Sequence, residues 1–576
     1  GKIVTGSYST GIQEHWYAEP VGAVCWLINE QGGKGAKAKK ANTVIVRTAT
    51  QWPYHVKRSV IRALGIIEQT AVSVLPTALN MHMDGKLWYP SLIACHAALG
   101  TFITKKPVRL ILSREEDFLF TPKRCNVNMD IASIIDDKGK INAAEIDISV
   151  NLGAYVVNGE EILDHICLGS LSFYGFENLK LTARAKKTNI PPQGPFCGFG
   201  LAQGLFAMER HISIISDITN QDPAIWRMER ACPGLLLPSA SSKNNLSSEE
   251  LIKSVAKASD YFRKWVSYEL LRDSRKGKLP EKGENPRGIG IAVGFQGNGL
   301  LYYGEDNGAY SVEVTLNKES ILEIKTSIVT SEDYNKIWER LAAEIMSIQP
   351  EMVRISSANA PDCGPSCASR NITAVTKLVE KCCLAIRKQR AHDPLPITVR
   401  RSVKPQSGSL RNGSWKVMDA SPFSKPALAA AVVEVTIDLV ECIPVIRSVW
   451  LAVDGGKIIS KNRAKRTLNR SATQALGWAF TENIDYINGA LPRTQYDNFT
   501  IFSPVEIPPI HIDFISGGGT EPKGIGDLPF TCIPAAFLQA VSQAMDYSFK
   551  SIPLKRKDIW EKIRVRNIDY SSQAVK

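Results

Sequence analysis

The chain has no uninterrupted apolar run of about 18 residues, the length a membrane-spanning helix needs, so no transmembrane span is expected. It has no initiator methionine and no signal-peptide pattern. It opens at Gly1 in what reads as a strand-rich region, as a fragment or processed piece of something longer would. It has no CxxC pair. Its twelve cysteines are scattered, with Cys363 and Cys367 four apart and Cys382 and Cys383 adjacent, which excludes the usual zinc and iron–sulfur spacings. With no secretory signal, the expected setting is the reducing cytoplasm, and sequons such as that at Asn245 are chance matches. No nucleic-acid-binding motif is present either. The formal net charge is +13, but the basic residues are dispersed. Their densest cluster, 34–40, holds only lysine, glycine and alanine and reads as an exposed hairpin loop. Dispersed charge of this kind reads as solvated loops, with attraction of an anionic cofactor or substrate, rather than nucleic acid, as its functional use.

What is present is a chain of 576 residues, too long for one core, with 44% apolar residues. Strand and helix patterns mix throughout, which is an α+β pattern. Strands are expected at 43–48 and 107–113, and as a pair within 127–149 around the turn 136–139. Helices are expected at 54–64, 88–99 and 201–218, with 114–124 as a charged connection. Ser247 and Glu250 form a capping-box pattern for a helix running to about Arg272. The second part repeats the first in style. Strands are expected at 288–293, within 308–324, at 428–435 and at 443–452. Helices are expected at 334–346, from 373 to about 387, at 469–481 and at 535–545. The expected domains are a first half at 1–235, a linker with a helix at 236–287, and a second half at 288–576.

Three glycine- or small-residue stretches precede helices. The first, 189–204, has Pro191, Pro192 and Pro195 ahead of Cys197, then Gly198, Phe199 and Gly200. The second, 361–370, is rich in small residues. The third, 516–537, opens with three glycines, continues through Gly524 and Gly526 to Asp527, and carries Pro529 and Pro534, expected to end the irregular segment. Free N–H groups of such loops, and of the helices behind them, can hold an anion. On spacing alone Asp527 reads first as the cap of an ordinary glycine loop. A polar and aromatic cluster, 11–20, stands near the start.

Taken together these stretches resemble the large molybdenum-cofactor-binding domain of the xanthine dehydrogenase and aldehyde oxidase family, in one order from Gly11 to about Tyr547. The family's Gly-Gln-Glu-His-Phe-Tyr segment resembles 12–17, and its Pro-Val-Arg…Arg-Asp-Glu-Asp segment resembles 107–117. Its Phe-Arg-Gly-Phe-Gly loop resembles Phe196, Cys197, Gly198, Phe199 and Gly200. Its Ser-Pro-Thr-Ala-Ala-Ser loop resembles 364–369, and its Lys-Gly-x-Gly-Glu-Pro-Pro signature resembles 523–529. The resemblance implies two related mixed-sheet halves with a cofactor cleft between them. It implies a molybdenum–pyranopterin cofactor, as molybdopterin or its dinucleotide, with no protein side chain bound directly to the metal. The family hydroxylates aldehydes or N-heterocycles of purine type with a Glu base. This places Asp527 as base and Gln13 beside the metal's oxo group. Cofactor contacts fall on Gly85, Lys86, Phe196, Cys197, Gly198, Phe199, Gly200, Asn335, Ser366, Cys367, Ala368, Ser369, Lys523, Gly524 and Gly526. Iron–sulfur and flavin (FAD) modules belong on missing segments or partner chains, and a homodimer of such assemblies is implied.

The departures are specific. Asp527 stands for Glu, which retracts the carboxylate by roughly 1.5 Å. Cys197 stands for Arg and removes a bidentate donor. The family's Gly-Gly-Gly-Phe-Gly-Gly-Lys loop is here 79–86, with Met81, His82 and Met83 in place of glycines, and its Met-Gly-Gln-Gly loop is here 333–336. Two readings follow: a molybdenum hydroxylase with a remodelled pocket, or a non-catalytic member that keeps the fold and has lost normal cofactor binding.

Overall fold

The computed structural model describes residues 1–30, 41–66, 71–77, 79, 83–231, 248–275, 285–301, 310–328, 332–357, 360–403, 426–515, 519 and 521–573. The basic loop 34–40, the capping Ser247, most of both expected linkers, Met81, His82, Gly517 and Gly518 lie outside them. The chain divides into two compact units. One comprises 1–14, 123–301 and 409–576; the other comprises 15–122 and 302–408. Each unit draws on both sequence halves, so units and halves are different divisions of the chain.

The first unit carries one strand order twice. Strands Lys2–Thr10, Val127–Ile135 and Ile141–Asn151 pair antiparallel in sequence. Helix Gly159–Leu171 then crosses to strand Asn178–Lys186, parallel to Ile141–Asn151, and helix Leu201–Ile218 follows. Later, Arg287–Gln296, Ala427–Asp438 and Ile443–Asp454 pair antiparallel. Helix Lys461–Leu476 crosses to the parallel strand Ile510–Phe514, and helix Leu528–Met545 follows. The helix crossings are what parallel neighbours require. The short strand Ser551–Ile552 completes the first sheet beside Lys2–Thr10. Both sheets share one core, with Val127, Ile131, Ile148, Leu205, Ile291 and Val432 among its members. Val127–Ile135 alternates between buried and more exposed residues, as a half-covered strand does, whereas Arg287–Gln296 is buried after its first residue. Gly288, Gly290 and Gly294 let helix Leu528–Met545 lie directly on that strand. A Cβ at these positions would meet Ala540 O, Ala536 O and Thr531 Oγ1 at 1.9–2.2 Å.

The second unit also carries one order twice. Gly22–Glu30 and Ala41–Thr48 pair antiparallel, helix Pro53–Leu64 crosses to the parallel Val72–Pro76, and helix Tyr89–Thr104 leads to Val108–Ile111 beside Gly22–Glu30. Tyr310–Leu316, Leu322–Lys325, helix Glu332–Met346, Val353–Ser356, helix Thr376–Gln389 and Ile397–Val403 follow the same scheme. Each sheet packs its own core. The architecture is α+β with mixed sheets, as expected.

Several elements depart from expectation. The charged 114–124 connection contains a helix, Arg114–Phe120, because Ser113 and Glu116 close a capping box. The single helix expected up to Arg272 is two, Ser248–Ser259 and Tyr261–Ser274, broken at the left-handed Asp260. Pro534 does not end the irregular segment. The helix starts at Leu528 with Pro529 at its second position, where the missing N–H is not needed, and Pro534 lies inside it. The helix expected at 469–481 is Lys461–Leu476 followed by a π-turn, Gly477–Thr481, and Thr376–Gln389 is preceded by another, Asn371–Val375. Among the described residues one helix, Leu528–Met545, is long and apolar enough to cross a membrane, and it is buried in the first unit's core. The eleven cysteines among the described residues are all free.

Candidate active site

In the first unit the segments at 11–14, 123–125, 196–203, 474–482 and 523–530 converge. The loop ahead of helix Leu201–Ile218 holds Gly198, Phe199 and Gly200 at φ +86°, +53° and +124°. It is tightened by Phe199 N–H donating to Phe196 O and Leu201 N–H donating to Gly198 O, both at 2.9 Å. This backbone turns the Gly198 N–H and the Cys197 thiol onto the carboxylate of Asp527, to which both donate. Asp527 occupies the N-cap position of Leu528–Met545, yet its side chain does not cap the helix. Its own N–H donates to Gln296 Oε1 at 2.7 Å, which fixes the backbone. Burial pushes its pKa up to about 6, against the lowering effect of the Cys197 thiol, the Arg124 charge and the Gly198 N–H.

Arg124 is the hub that sequence reasoning missed. It is fully buried between the rings of Phe196, Trp478 and Phe530, whose centroids lie 4.4, 4.4 and 5.0 Å from its guanidinium carbon. Nε donates to Gln13 Oε1 at 2.9 Å, and Nη1 donates to Gln203 Oε1 at 3.3 Å and Cys197 O at 3.4 Å. Nη2 has no hydrogen-bond partner among the described residues. Burial lowers the Arg124 pKa to about 10, and the acidic groups around it oppose that shift. Gln13 is itself buried, with Nε2 donating to Glu482 Oε2 at 2.9 Å and Gln474 O at 3.1 Å. Beside it, Glu14 pairs with the buried Lys123. Of the other expected residues in this unit, Lys523 makes a buried ion pair with Asp454 at 2.7 Å, and the Gly524 N–H donates to Asn298 Oδ1 at 2.8 Å. Gly526 precedes Asp527 in the turn.

The second unit gathers a different set around Gln51, which sequence reasoning also missed. Gln51 Nε2 donates to Asp84 Oδ1 at 3.1 Å and Ser366 O at 2.8 Å, and its Oε1 accepts from Tyr17 Oη and Lys86 N–H, both at 3.2 Å. The Gly85 N–H donates to Tyr17 Oη at 3.1 Å. Lys86 Nζ lies over the Tyr17 ring and bonds Glu19 O at 2.7 Å and Glu19 Oε1 at 3.2 Å; burial lowers its pKa while Glu19 raises it. The Ser366 N–H donates to Gln51 O at 2.8 Å, and Ser366 Oγ accepts from Asn371 Nδ2 at 2.7 Å. Cys367 is buried, and Ala368 and Ser369 are consecutive left-handed residues. Arg370 supports this loop from beneath, donating to Pro365 O at 3.0 Å and Cys363 O at 3.4 Å and stacking on Tyr310. Met83 is fully buried, and Asn335 is half-buried on helix Glu332–Met346. Among the described residues no group of three or more His, Cys, Asp or Glu is arranged to bind a metal ion directly.

Two family profiles, both described as a molybdopterin cofactor-binding domain, match residues 1–231 and 396–508. The xanthine dehydrogenase molybdenum-binding subunit of Escherichia coli O157:H7 is 20% identical over 98% of this chain and 77% of its own length. This chain belongs to the molybdenum-cofactor-binding domain family of the xanthine dehydrogenases and aldehyde oxidases. The fold agrees. The aldehyde oxidoreductase of Desulfovibrio gigas superposes with TM-score 0.77 at 20% identity, over 98% of this chain and 61% of that one. Quinoline 2-oxidoreductase from Pseudomonas putida 86 superposes with TM-score 0.80 at 17% identity, over 98% and 76%.

The residues present fit the family's anionic, oxygen-rich cofactor. A buried guanidinium with an unpartnered N–H and a buried carboxyl sit together in one unit. A loop with two consecutive left-handed residues lies ahead of a helix in the other. Successive backbone N–H groups in such a turn form an anion-binding concavity.

Proposed function

We propose that this chain is the molybdenum-binding part of an oxidoreductase that hydroxylates an aldehyde or an N-heterocycle of purine type, with Asp527 as the base. The observation that carries this reading is the buried Asp527 carboxyl, oriented by the Gly198 N–H and the Cys197 thiol rather than by its own helix. A base works best with its pKa near the working pH, and burial brings Asp527 to about 6. The residues expected to hold the pterin and its phosphates are 196–200, 523–524 and 526 in one unit, and Gly85, Lys86, Asn335 and 366–369 in the other. When bound, the cofactor supplies the oxygen to be transferred and takes up two electrons.

The chain's own part is positioning and proton transfer. Above about pH 6 Asp527 is ionised and can accept a proton within hydrogen-bond reach. The Gly198 N–H and the Cys197 thiol hold it in one orientation. Phe196, Trp478 and Phe530 enclose the Arg124 guanidinium in a dry setting where its charge acts strongly on Asp527. Gln13, bonded to Arg124, Gln474 and Glu482, is the residue expected beside the metal's oxo group. The iron–sulfur and flavin partners, the homodimer of assemblies, the cytoplasmic setting and the halves 1–235 and 288–576 joined by 236–287 belong to the same proposal. The free cysteines suit a reducing compartment, and the repeated strand order suits two halves.

The test is metal analysis and turnover of natively purified protein from a host that makes the cofactor. About one molybdenum per chain, with oxidation of an aldehyde or N-heterocycle panel, is the expected result. No molybdenum would overturn the reading and favour a non-catalytic member that keeps the fold.

A further inference from the structure

The end of helix Lys461–Leu476 is built around Gln13. Regular α geometry stops at Leu476 and the π-turn Gly477–Thr481 follows, a distortion that collects at functional sites. Glu482 closes the turn, its N–H donating to Gly477 O at 2.8 Å. Its carboxyl folds back over Gly477 so closely that a Cβ there would stand 2.1 Å from Oε1. The turn also anchors the segment before Gln13, since Trp478 Nε1 donates to Gly11 O at 3.0 Å.

The Gln13 amide is thereby saturated. Both of its N–H bonds end on residues flanking this turn, at Glu482 Oε2 and Gln474 O, and its oxygen accepts from Arg124 Nε. A flip would set N–H against N–H at Arg124 and oxygen against oxygen at the turn. The groups facing Glu482 are Gln13, Arg124 and Glu14. Burial pushes the Glu482 carboxyl up to about 8, despite the Gln13 bond and the Arg124 charge. It is therefore a neutral acceptor at pH 7, as suits a site already holding Asp527.

We propose that Glu482 is a positioning residue: with the Gln474 carbonyl and Arg124 it fixes the Gln13 amide, nitrogen toward the π-turn and oxygen toward the guanidinium. The proposal rests on the reading of Gln13 and Asp527 as parts of an oxidoreductase site. It gives Glu482 a role through Gln13, not in the chemistry.

A double-mutant cycle on the full chain tests it in two readouts. In cofactor-free protein, Glu482→Leu and Gln13→Leu each lower the unfolding midpoint. The double variant should lose little more than one of them alone, because both break the same bond. Additive losses would overturn the clamp. In molybdenum-loaded protein, Glu482→Leu should lower kcat about 10- to 100-fold, the range expected for a misplaced group, with KM and molybdenum content unchanged. It should lower kcat no further in the Gln13→Leu background. Glu482→Gln keeps a carbonyl acceptor and should restore most of the rate. Gly477→Ala should reproduce the Glu482→Leu defect by displacing the carboxyl, and it carries the test if Glu482→Leu fails to fold. An equal drop in kcat with or without Gln13 would overturn the proposal. If wild-type protein takes up no molybdenum, the functional reading fails while the stability cycle still decides the clamp.

Discussion

The loop 196–200 leads into helix Leu201–Ile218, and 523–527 leads into helix Leu528–Met545, at matching places in a strand order used twice. The two helices pack in one unit, and their lead-ins meet. The first supplies donors, through a backbone bent into three successive positive-φ residues. The second supplies the acceptor, the Asp527 carboxylate, on a backbone held by Gln296 and Asn298 from the end of strand Arg287–Gln296. One scaffold used twice has thus been specialised at its loops, where side chains can change without disturbing the sheets. Arg124, from neither lead-in, bonds Gln13 and Cys197 O of the first, and its charge acts on Asp527 of the second.

That division of labour can be broken most directly at the acceptor. Asp527→Asn keeps the shape and removes the proposed base, so turnover should fall by about 10²- to 10⁴-fold, the usual contribution of a general base. Molybdenum content should stay constant. Steady-state rates alongside metal analysis decide it, and an unchanged rate would strip Asp527 of the role.

The hub comes next. Arg124→Met leaves the buried Gln13 and Gln203 oxygens without their donor and Asp527 without its nearby cation, and an unsatisfied buried polar group costs about 1–3 kcal/mol. Denaturant unfolding should show that loss. Because the Arg124 charge lowers the Asp527 pKa, the acid limb of the pH–rate profile should also move to higher pH. Arg124→Lys should recover part of the shift but not the Gln13 geometry.

A smaller effect separates Glu482 from both lead-ins. Its folded pKa is raised from an ordinary 4.5 to about 8. The folded state therefore binds the extra proton between those values, and stability falls as pH climbs from about 4.5 through 8. At about 1.4 kcal/mol per unit this amounts to a few kcal/mol. Glu482→Gln should flatten the dependence, so the variant gains on wild type at pH 8 relative to pH 5. Parallel stability curves would contradict a buried, protonated Glu482.

Much of this was legible in the sequence, and the exceptions share a cause. Helix Leu201–Ile218 has the expected bounds because local signals agree: glycines before it and apolar spacing within it. The small-residue loop 364–369 and Asp527 announce themselves in the same local way. Arg124 does not. It follows a charged helix, and only rings from residues 196, 478 and 530 make it a core residue. Glu482 looked like the residue after an amphipathic helix, since no propensity signals a π-turn. The interleaved units are equally invisible to local pattern, because strand pairing across more than a hundred residues decides them.

The smallest expected change tests the donor side. By the motif resemblance Cys197 takes the place of an Arg, and its thiol is one of the donors that hold the Asp527 pKa down. Cys197→Ala removes that donor and leaves the Gly198 N–H. The Asp527 pKa should then rise, and because a base must be ionised, the acid limb of kcat/KM should move upward from about pH 6. The alkaline plateau should barely change, since Asp527 is ionised there with or without the thiol. Cys197→Ser keeps a donor at the same place and should leave the limb where it is. The discriminating measurement is the pH–rate profile of both variants beside wild type. An unmoved limb in Cys197→Ala would mean that the loop backbone alone orients Asp527. A limb that moves in Cys197→Ala and not in Cys197→Ser would show the thiol acting as a donor to Asp527.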